Sequence, residues 1–275
     1  MRIATWNVNS LKARQDRVLE WLALAGPDVV LLQETKLADD AAPVMAFAMV
    51  GYELVHHGEG RWNGVAIASR VGVADVLTNF GDGAVRNSGQ GSGVGATADD
   101  AFNPLEEARM VSAVCGGVRV VSLYAPNGRA LGTPFYDGKL AWFERLSSWL
   151  EQTQDPAGPL VLGGDFNVAP EDADVYDPAL FVGTTHTSAA ERAALARLRA
   201  WGLEDVVRRF HPEQGFYTWW DYRAGNFHKN LGLRIDHLYV TGPVAARTVG
   251  AERDRDARKG SLPSDHAPIW IDLTD

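Results

Sequence analysis

The sequence predicts an α/β protein of the α+β type, with two packed sheets and helices on their outer faces. Strand-like apolar runs outnumber helical ones, and many of them follow one another directly along the chain. A regular alternation of strand and helix would instead indicate a single parallel sheet. The chain has 275 residues and is 46% hydrophobic, which is enough to bury a large core. No linker-like stretch divides it, so residues 1–275 are predicted to form a single domain.

Each element is predicted from the spacing of its apolar residues. Alternating side chains from the first residues predict an opening strand that ends at Asn7. Helical spacing predicts a helix over 11–24, and the run 28–33 is short enough to be a buried strand. Ser188 and Glu191 form a capping box before a further helix. The remaining predicted strands are 52–56, 63–69, 107–115, 118–124, 159–163, 233–240, 244–251 and 268–273, and the remaining helices are 135–152 and 189–201.

The net charge limits the classes of function that the chain can have. Lys and Arg total 26 and Asp and Glu total 35, giving a net charge of −9. A nonspecific nucleic-acid coat protein is usually basic, so the balance argues against that class. It does not argue against an enzyme whose acids hold a metal and whose basic residues cluster. Segment 223–234 contains such a cluster, in Arg223, His228, Lys229 and Arg234, unless it is simply a solvated charged loop.

Three further features narrow the class. Cys115 is the only cysteine, so neither an internal disulfide nor a cysteine zinc site is possible, and we expect it in the core. No signal peptide or apolar run of about 20 residues is present, which predicts a soluble, cytoplasmic protein. The glycine-rich stretch 80–104 lacks the Lys and Ser/Thr of a phosphate-binding loop and is predicted to be a flexible surface insertion of open role.

Acid and amide residues stand where strand-like runs end. They are Asn7 and Asn9, Glu34, the triplet Asp165–Phe166–Asn167, Asp236, and the pair Asp265–His266. Carboxylates at strand ends converge on one rim, where they can hold a hard cation and a phosphate. The pattern therefore predicts a metal-dependent phosphodiesterase. Trp6–Asn7–Val8 and Phe166–Asn167–Val168 also echo each other, which hints at two similar halves.

Taken singly, most of these residues have an ordinary alternative. Glu34 could face solvent, and Asp165 could be a turn former. Asp236 lies in an apolar run and must be paired or used. Together they supply what phosphodiester hydrolysis needs. Glu34 could bind Mg²⁺ beside Asn7, and Asp165 could orient or deprotonate the attacking water. Asn167, His266 and Tyr124 could donate hydrogen bonds to the phosphate.

Seven motifs carry a resemblance to a known family. They are WNVNS (6–10), LQETK (32–36), SLYAPNG (122–128), GGDFN (163–167), WWDYR (219–223), GLRID (232–236) and SDHAP (264–268). In order and spacing, from Ile3 to Ile271, they resemble the exonuclease III family of apurinic/apyrimidinic endonucleases. GDFN and SDH alone specify only the wider endonuclease/exonuclease/phosphatase superfamily. The resemblance implies a four-layered α/β sandwich of two packed, mostly antiparallel sheets flanked by helices.

The resemblance also implies roles for individual residues. Glu34 would be the principal metal ligand, with Asn7, Asp265, Asp165 and Asn167 around the metal. Asp165 would handle the nucleophilic water, Asn167 and Tyr124 the phosphate, and Asp236 would partner His266. Trp219, Leu233 and Ile235 match a pocket for a flipped-out abasic sugar, which an apolar site can distinguish from a normal nucleotide. Asn127, Arg129, Arg223 and Lys229 match positions that contact the DNA backbone.

The activity implied is that of a DNA repair nuclease dependent on Mg²⁺, with Mn²⁺ as an alternative. Such an enzyme cuts double-stranded DNA 5′ to abasic sites and also processes 3′ ends, acting as a monomer. Two alternatives stay open at this point. One is a phosphodiesterase or phosphatase of the same superfamily acting on RNA, lipid headgroups or inositol phosphates. The other is a non-catalytic nucleic-acid-binding protein. The number of metal ions and the balance of activities are also open.

Overall fold

A computed structural model describes residues 1–81 and 103–274, and these form twelve strands and seven α-helices. The strands are β1 (Arg2–Asn7), β2 (Val29–Gln33), β3 (Glu53–His57), β4 (Val65–Ser69), β5 (Ala74–Thr78), β6 (Met110–Cys115), β7 (Val118–Tyr124), β8 (Leu160–Asp165), β9 (Leu203–Asp205), β10 (Asp236–Thr241), β11 (Thr248–Arg253) and β12 (Ile269–Leu273). The helices are α1 (Leu11–Ala25), α2 (Val44–Met49), α3 (Pro134–Thr153), α4 (Ala189–Trp201), α5 (Val206–Phe210), α6 (Asn226–Lys229) and α7 (Gly242–Arg247). The predicted insertion 80–104 lies almost entirely outside the described residues.

The strands form two six-stranded sheets, in the orders β11-β12-β1-β2-β4-β3 and β5-β6-β7-β8-β10-β9. The pairs β1–β2 and β7–β8 are parallel, and the other paired strands are antiparallel. Apolar side chains from both sheets share one core, while α3 and α4 cover one sheet and α1 and α2 the other. The predicted sandwich of mostly antiparallel sheets is confirmed. None of the helices in the described part has the length and apolar character to cross a bilayer.

The two sheets repeat one pairing pattern. Counted from β3 and from β5, each sheet has two antiparallel pairs, one parallel pair, and two more antiparallel pairs. In this comparison β1 corresponds to β8, and both strands run into an aromatic–Asn–Val sequence at the same kind of strand end. The topology therefore supports the hint of two similar halves.

Two glycines near the end of β8 let the chain reach the rim. A Cβ on Gly163 would stand 2.5 Å from Leu31 Cδ1, between the two packed sheets. Gly164 has a φ of 153°, and a Cβ there would lie 1.9 Å from the carbonyl oxygen of Leu123. Neither position has room for a side chain, and this explains the GG that precedes Asp165.

Most predicted elements are confirmed to within a few residues, and the capping box of α4 makes both of its hydrogen bonds. The strand predicted at 244–251 is wrong over its first half. Residues 242–247 form α7 because a proline in the first turn costs no hydrogen bond, so the strand begins at Thr248. The strand predicted at 233–240 begins only at Asp236, since Leu233 bridges to Trp219 and Val175 instead. The short elements β5, β9, α2 and α5 had no clear signal.

The basic cluster predicted at 223–234 is divided by the fold. Arg223, His228 and Lys229 are exposed, but Arg234 is buried and pairs with Asp174 and Asp205. Including Arg234 in a surface cluster was wrong. A guanidinium among apolar neighbours is here part of a buried ion-pair network that ties the segment before β10 to β9. Cys115 is buried, as expected.

Candidate active site

The predicted site residues meet at one edge of the sandwich, where strands of both sheets end. Parallel pairing places Tyr124 beside Asp165, and antiparallel pairing places Asp165 opposite Asp236. In the other sheet β1 ends at Asn7, and β2 ends one residue before Glu34. Because the two sheets face each other, these strand ends converge on the same rim.

Asn7 joins the two sheets at this rim. Its side-chain nitrogen donates to Glu34 Oε1 and to Asp165 Oδ2, both at 2.9 Å. Asn7 is fully buried, and Glu34 has a left-handed backbone with φ 52° that turns its carboxylate toward Asn7. Lys36 pairs with the other oxygen of Glu34 at 2.9 Å. The amide thus holds two carboxylates of different sheets close together.

Asp165 also faces a histidine–carboxylate pair. Asp236 Oδ2 accepts from His266 Nδ1 at 2.8 Å, and His266 Nε2 lies 3.8 Å from Asp165 Oδ2. Burial by itself lowers the pKa of His266, but the Asp236 and Asp165 carboxylates outweigh it and raise the pKa to about 10. Burial raises the pKa of Asp165, His266 lowers it, and repulsion from Asp236 and Glu34 brings it to about 7. His266 is therefore a cation at neutral pH.

A group of side chains that could hold a metal ion lies at the same place. Ligand atoms of Glu34, Asp165 and His266 fall within 4.8 Å of one another. His266 is a poor ligand, because Asp236 holds its Nδ1 and the ring is protonated. The two carboxylates fit a hard divalent cation because such ions prefer oxygen ligands. A cation would also offset the repulsion that Asp165 experiences from Glu34 and Asp236.

Asp265, predicted to lie near the metal, is held by other groups. Its Oδ1 accepts from Asn9 Nδ2 and its Oδ2 from Trp219 Nε1, both at 3.0 Å. Burial raises the pKa of Asp265, but His266 and the hydrogen bonds from Trp219 and Asn9 lower it by more, so the pKa lies below its ordinary value. Asp265 is thus an ionised carboxylate that orients Trp219 in this structure, and its role as a ligand stays a prediction.

Asn167 and Tyr124 lie on the other side of Asp165. The backbone N–H of Asn167 donates to Asp165 Oδ1 at 2.9 Å, and its side chain lies 3.2 Å from the amide of Asn127. Tyr124 is half-buried, and its pKa is raised well above the ordinary value, first by burial and then by the Glu34 carboxylate. The phenol is therefore a permanent hydrogen-bond donor.

An apolar wall adjoins the charged rim. Leu233 and Ile235 are buried against Ala169 and Val175, with the half-buried rings of Trp219 and Phe181 packed on them. Trp219 also bridges to His266 through the backbone. The predicted pocket residues thus lie together, directly beside the histidine. Trp220 is fully buried and is the core residue of the Trp219–Trp220 pair.

The predicted DNA-contact residues are exposed but form no tight group. Arg129 lies over the ring of Phe135, at 3.5 Å from its centroid. Arg223 pairs with Asp221 in the exposed segment that also carries Lys229. Asn127 is exposed and nearest to the charged centre, through Asn167.

Two residues beside the site were missed from the sequence. Lys139 of α3 is fully buried, and its ammonium donates to the backbone oxygen of Asn167 at 2.7 Å. The ring of His186, a residue with φ 78°, is 2.6 Å from the same oxygen through Nδ1. No sequence signal marks either one, because a lysine in an amphipathic helix and a histidine in a polar loop both indicate surface.

Comparison with known proteins agrees with this geometry. The model of the Endonuclease/Exonuclease/phosphatase family matches residues 4–266. Exodeoxyribonuclease III from Haemophilus influenzae is 33% identical, over 99% of this chain and 100% of its own length. Among solved structures, an AP endonuclease from Archaeoglobus fulgidus is 33% identical, covers 100% of both chains and has a TM-score of 0.90. The 3′ phosphatase NExo from Neisseria, bound to a product DNA hairpin, is 39% identical over 100% of both chains, with a TM-score of 0.87.

A two-sheet sandwich with carboxylates and a charged histidine at one rim defines a class of hydrolases that act on phosphate esters. This chain belongs to the Endonuclease/Exonuclease/phosphatase family, in its exonuclease III group of AP endonucleases. The predicted resemblance is confirmed, and the protein is a nuclease.

Proposed function

We propose that this protein is a divalent-metal-dependent DNA repair nuclease that incises double-stranded DNA 5′ to abasic sites and processes 3′ ends. One observation carries the proposal. Asp165 lies between the Asn7–Glu34 pair and the Asp236–His266 pair, and the apolar cluster of Leu233, Ile235 and Trp219 adjoins His266. That arrangement offers a base, a cation and a binding site for a bare sugar.

The residues divide the chemistry among them. Asp165, whose pKa is about 7 in the metal-free protein, orients the attacking water and accepts its proton. Protonated His266, fixed by Asp236, donates to a phosphate oxygen as negative charge builds there. Asn167 and Tyr124 donate to the remaining oxygens. Glu34 and Asp165, with Asn7 and Asp265 nearby, would hold the cation. When bound, that cation neutralises charge on the phosphate.

Substrate recognition is assigned to the neighbouring surfaces. The wall of Leu233, Ile235 and Trp219 is apolar, so it suits a sugar without its base and excludes a polar base edge. Exposed Arg129, Arg223 and Lys229, with Asn127, suit the phosphates of the duplex. We take Mg²⁺ as the cation, with Mn²⁺ as the alternative, because both prefer oxygen ligands.

Three coarser predictions accompany this proposal. The single domain 1–275 is supported by the family match over 4–266 and by the core that both sheets share. A monomer and a cytoplasmic location stay predictions of the sequence. Sedimentation and cell fractionation would test them.

Each of the two activities is supported by a relative of this chain. The relative at 39% identity is named for 3′ phosphatase chemistry, while the relative at 33% identity and a TM-score of 0.90 is an AP endonuclease. One assay compares the two directly. It uses a duplex with one tetrahydrofuran abasic analogue, a nicked duplex with a 3′-phosphate, and an undamaged duplex, each with Mg²⁺ and with EDTA.

We expect metal-dependent turnover of both lesion substrates and little of the undamaged duplex. Asp165→Asn is the matched inactive control. It should lower turnover by roughly 10³-fold or more while DNA binding persists. Cleavage confined to 3′ ends would remove the abasic-site part of the proposal. Turnover of RNA or phosphorylated headgroups, with all three duplexes inert, would overturn it.

A further inference from the structure

Lys139 is a buried charge that the mechanism above does not use. Its side chain is 0% exposed, and its Nζ contacts four oxygens. Two are backbone carbonyls, those of Asn167 at 2.7 Å and Asn127 at 3.2 Å. The others belong to Glu191, with which it forms an ion pair at 2.5 Å, and to Thr185 at 3.4 Å. The ammonium therefore lies directly beneath the two asparagines of the rim.

Glu191 completes this cluster from the first turn of α4. Its Oε1 accepts from the Thr185 hydroxyl at 2.7 Å and from the N–H of His186 at 2.9 Å, and its Oε2 accepts from the N–H of Ser188 at 3.0 Å. Both carboxylate oxygens of Glu191 therefore have hydrogen-bond donors. The ion pair thus fixes the 185–188 loop and α3 together, with a net charge of zero.

The loop above Lys139 is shaped to receive it. Gly128 has a φ of 85°, and a Cβ there would lie 2.9 Å from Lys139 Cδ. Asn167 also has a left-handed backbone, with φ 53°. These turns direct the carbonyls of Asn127 and Asn167 inward to the ammonium. They leave the two side chains at the rim, 3.2 Å apart.

A purely structural role would not require a charge here. Replacing a buried ion pair by apolar residues of similar size is often neutral or stabilising. An apolar residue at 139 could pack α3 against α4, but it could not donate to two carbonyls. The presence of a lysine is therefore explained by its hydrogen bonds to the two asparagine carbonyls and not by packing between the helices.

We propose that Lys139 is a positioning residue, which holds the backbones of Asn127 and Asn167 so that both side-chain amides point at the scissile phosphate. The proposal rests on the nuclease function proposed above. Lys139 itself touches neither the substrate nor the reacting atoms. Glu191 and Thr185 serve to hold it in place.

Lys139→Met tests the proposal. We expect kcat on the abasic duplex to fall by about 10- to 100-fold while KM changes by less than about threefold. Misplaced amides reduce the stabilisation of the transition state more than they reduce the affinity for DNA. Thr185→Val is a milder variant of the same cluster. It removes a hydroxyl that donates to the Asn127 carbonyl at 3.0 Å, and we expect a several-fold fall in kcat. If Lys139→Met does not fold, this variant tests the proposal in its place.

Leu146→Ala is the matched control. Leu146 is buried in the same helix but has no donor for the asparagine carbonyls, so this variant should lose stability and keep kcat. The side-chain amide NMR signals of Asn127 and Asn167 give a readout independent of activity. They should shift in the Lys139 and Thr185 variants and not in the control.

Two results would overturn the proposal. One is an unchanged kcat in Lys139→Met or, where that variant does not fold, in Thr185→Val. The other is an equal loss of kcat in Leu146→Ala at equal loss of stability. An inactive wild type would refute the proposed nuclease function instead, and the NMR comparison would still test the positioning.

Discussion

At the scale of single residues, the protonation of His266 follows from its neighbours. The ring lies between Asp236 at 2.8 Å and Asp165 at 3.8 Å, and all three side chains are buried. The carboxylates of Asp236 and Asp165 together with the imidazolium of His266 carry one net negative charge. A divalent cation bound beside Glu34 would offset that charge. We therefore propose that Asp236 acts on the reaction by keeping a proton on His266.

Asp236→Asn should make that proton easier to lose. In the wild type the pKa of His266 is about 10, so its protonated form persists through neutral pH. Without the Asp236 charge, burial lowers the pKa, and the ring deprotonates at lower pH. We expect the alkaline fall of kcat to move down by about one pH unit or more, with activity largely kept near pH 6. A kcat profile from about pH 5.5 to 10 measures this shift.

Asp205→Asn provides the comparison. Asp205 also has a largely buried carboxylate, with its side chain 8% exposed, but it pairs with Arg234 and lies outside the proposed catalytic group. Its variant should keep the wild-type alkaline limb. An unmoved limb in Asp236→Asn, or the same shift in both variants, would contradict the assigned role of Asp236.

The sequence revealed some site residues and hid others for physical reasons. Glu34, Asp165 and Asp236 stand at or beside strand ends, and strand ends of facing sheets must converge, so local pattern was enough. Lys139 was hidden because its burial depends on loops about 12 and 28 residues away. Arg234 was misplaced because its partners, Asp174 and Asp205, come from distant segments.

At the scale of elements, β8 is the strand on which the site depends most. It pairs in parallel with β7 and antiparallel with β10, and it packs against the other sheet through Gly163. Its last residue is Asp165. Strands like this were predictable from apolar runs, whereas α7 was not, because Val244 and Ala245 suit either a short helix or a strand.

Gly164→Ala should destabilise the fold strongly. The φ of 153° disfavours any side chain, and the new Cβ would stand 1.9 Å from a backbone oxygen of β7. The two strands must separate, so we expect a loss of about 3 kcal/mol or more in the free energy of unfolding, measured by urea denaturation. Gly250→Ala in β11 is the control. Its nearest neighbour would be 4.0 Å away, and its cost should stay within about 1 kcal/mol. Similar small losses in both variants would show that β8 has room for a side chain.

At the scale of the whole molecule, the candidate metal site lies between two sheets that repeat the same pairing pattern. Asn7 ends β1 of one sheet, Asp165 ends the corresponding β8 of the other, and their side chains bond at 2.9 Å. A ligand bound at this junction contacts both halves of the sandwich. Its binding energy should therefore add to the stability of the entire fold.

Mg²⁺ should raise the melting temperature, and the rise should depend on pH. The pKa of Asp165 is raised from its ordinary 3.8 to about 7, so the metal-free fold favours the protonated carboxyl. Its stability is then greatest below the ordinary value and falls as pH rises toward about 7. A cation reverses that loss, since it binds the ionised form.

A ligand at 100 times its Kd contributes about 2.7 kcal/mol, which corresponds to a shift of roughly 5 °C for a chain of 275 residues. We expect this shift at pH 8 by differential scanning calorimetry, and a much smaller one at about pH 5, where Asp165 is protonated. Glu34→Gln should abolish it, whereas Glu53→Gln, an exposed carboxylate in β3, should keep it at matched ionic strength. A shift that survives in Glu34→Gln would place the cation elsewhere, because general screening by the added salt acts equally on both variants.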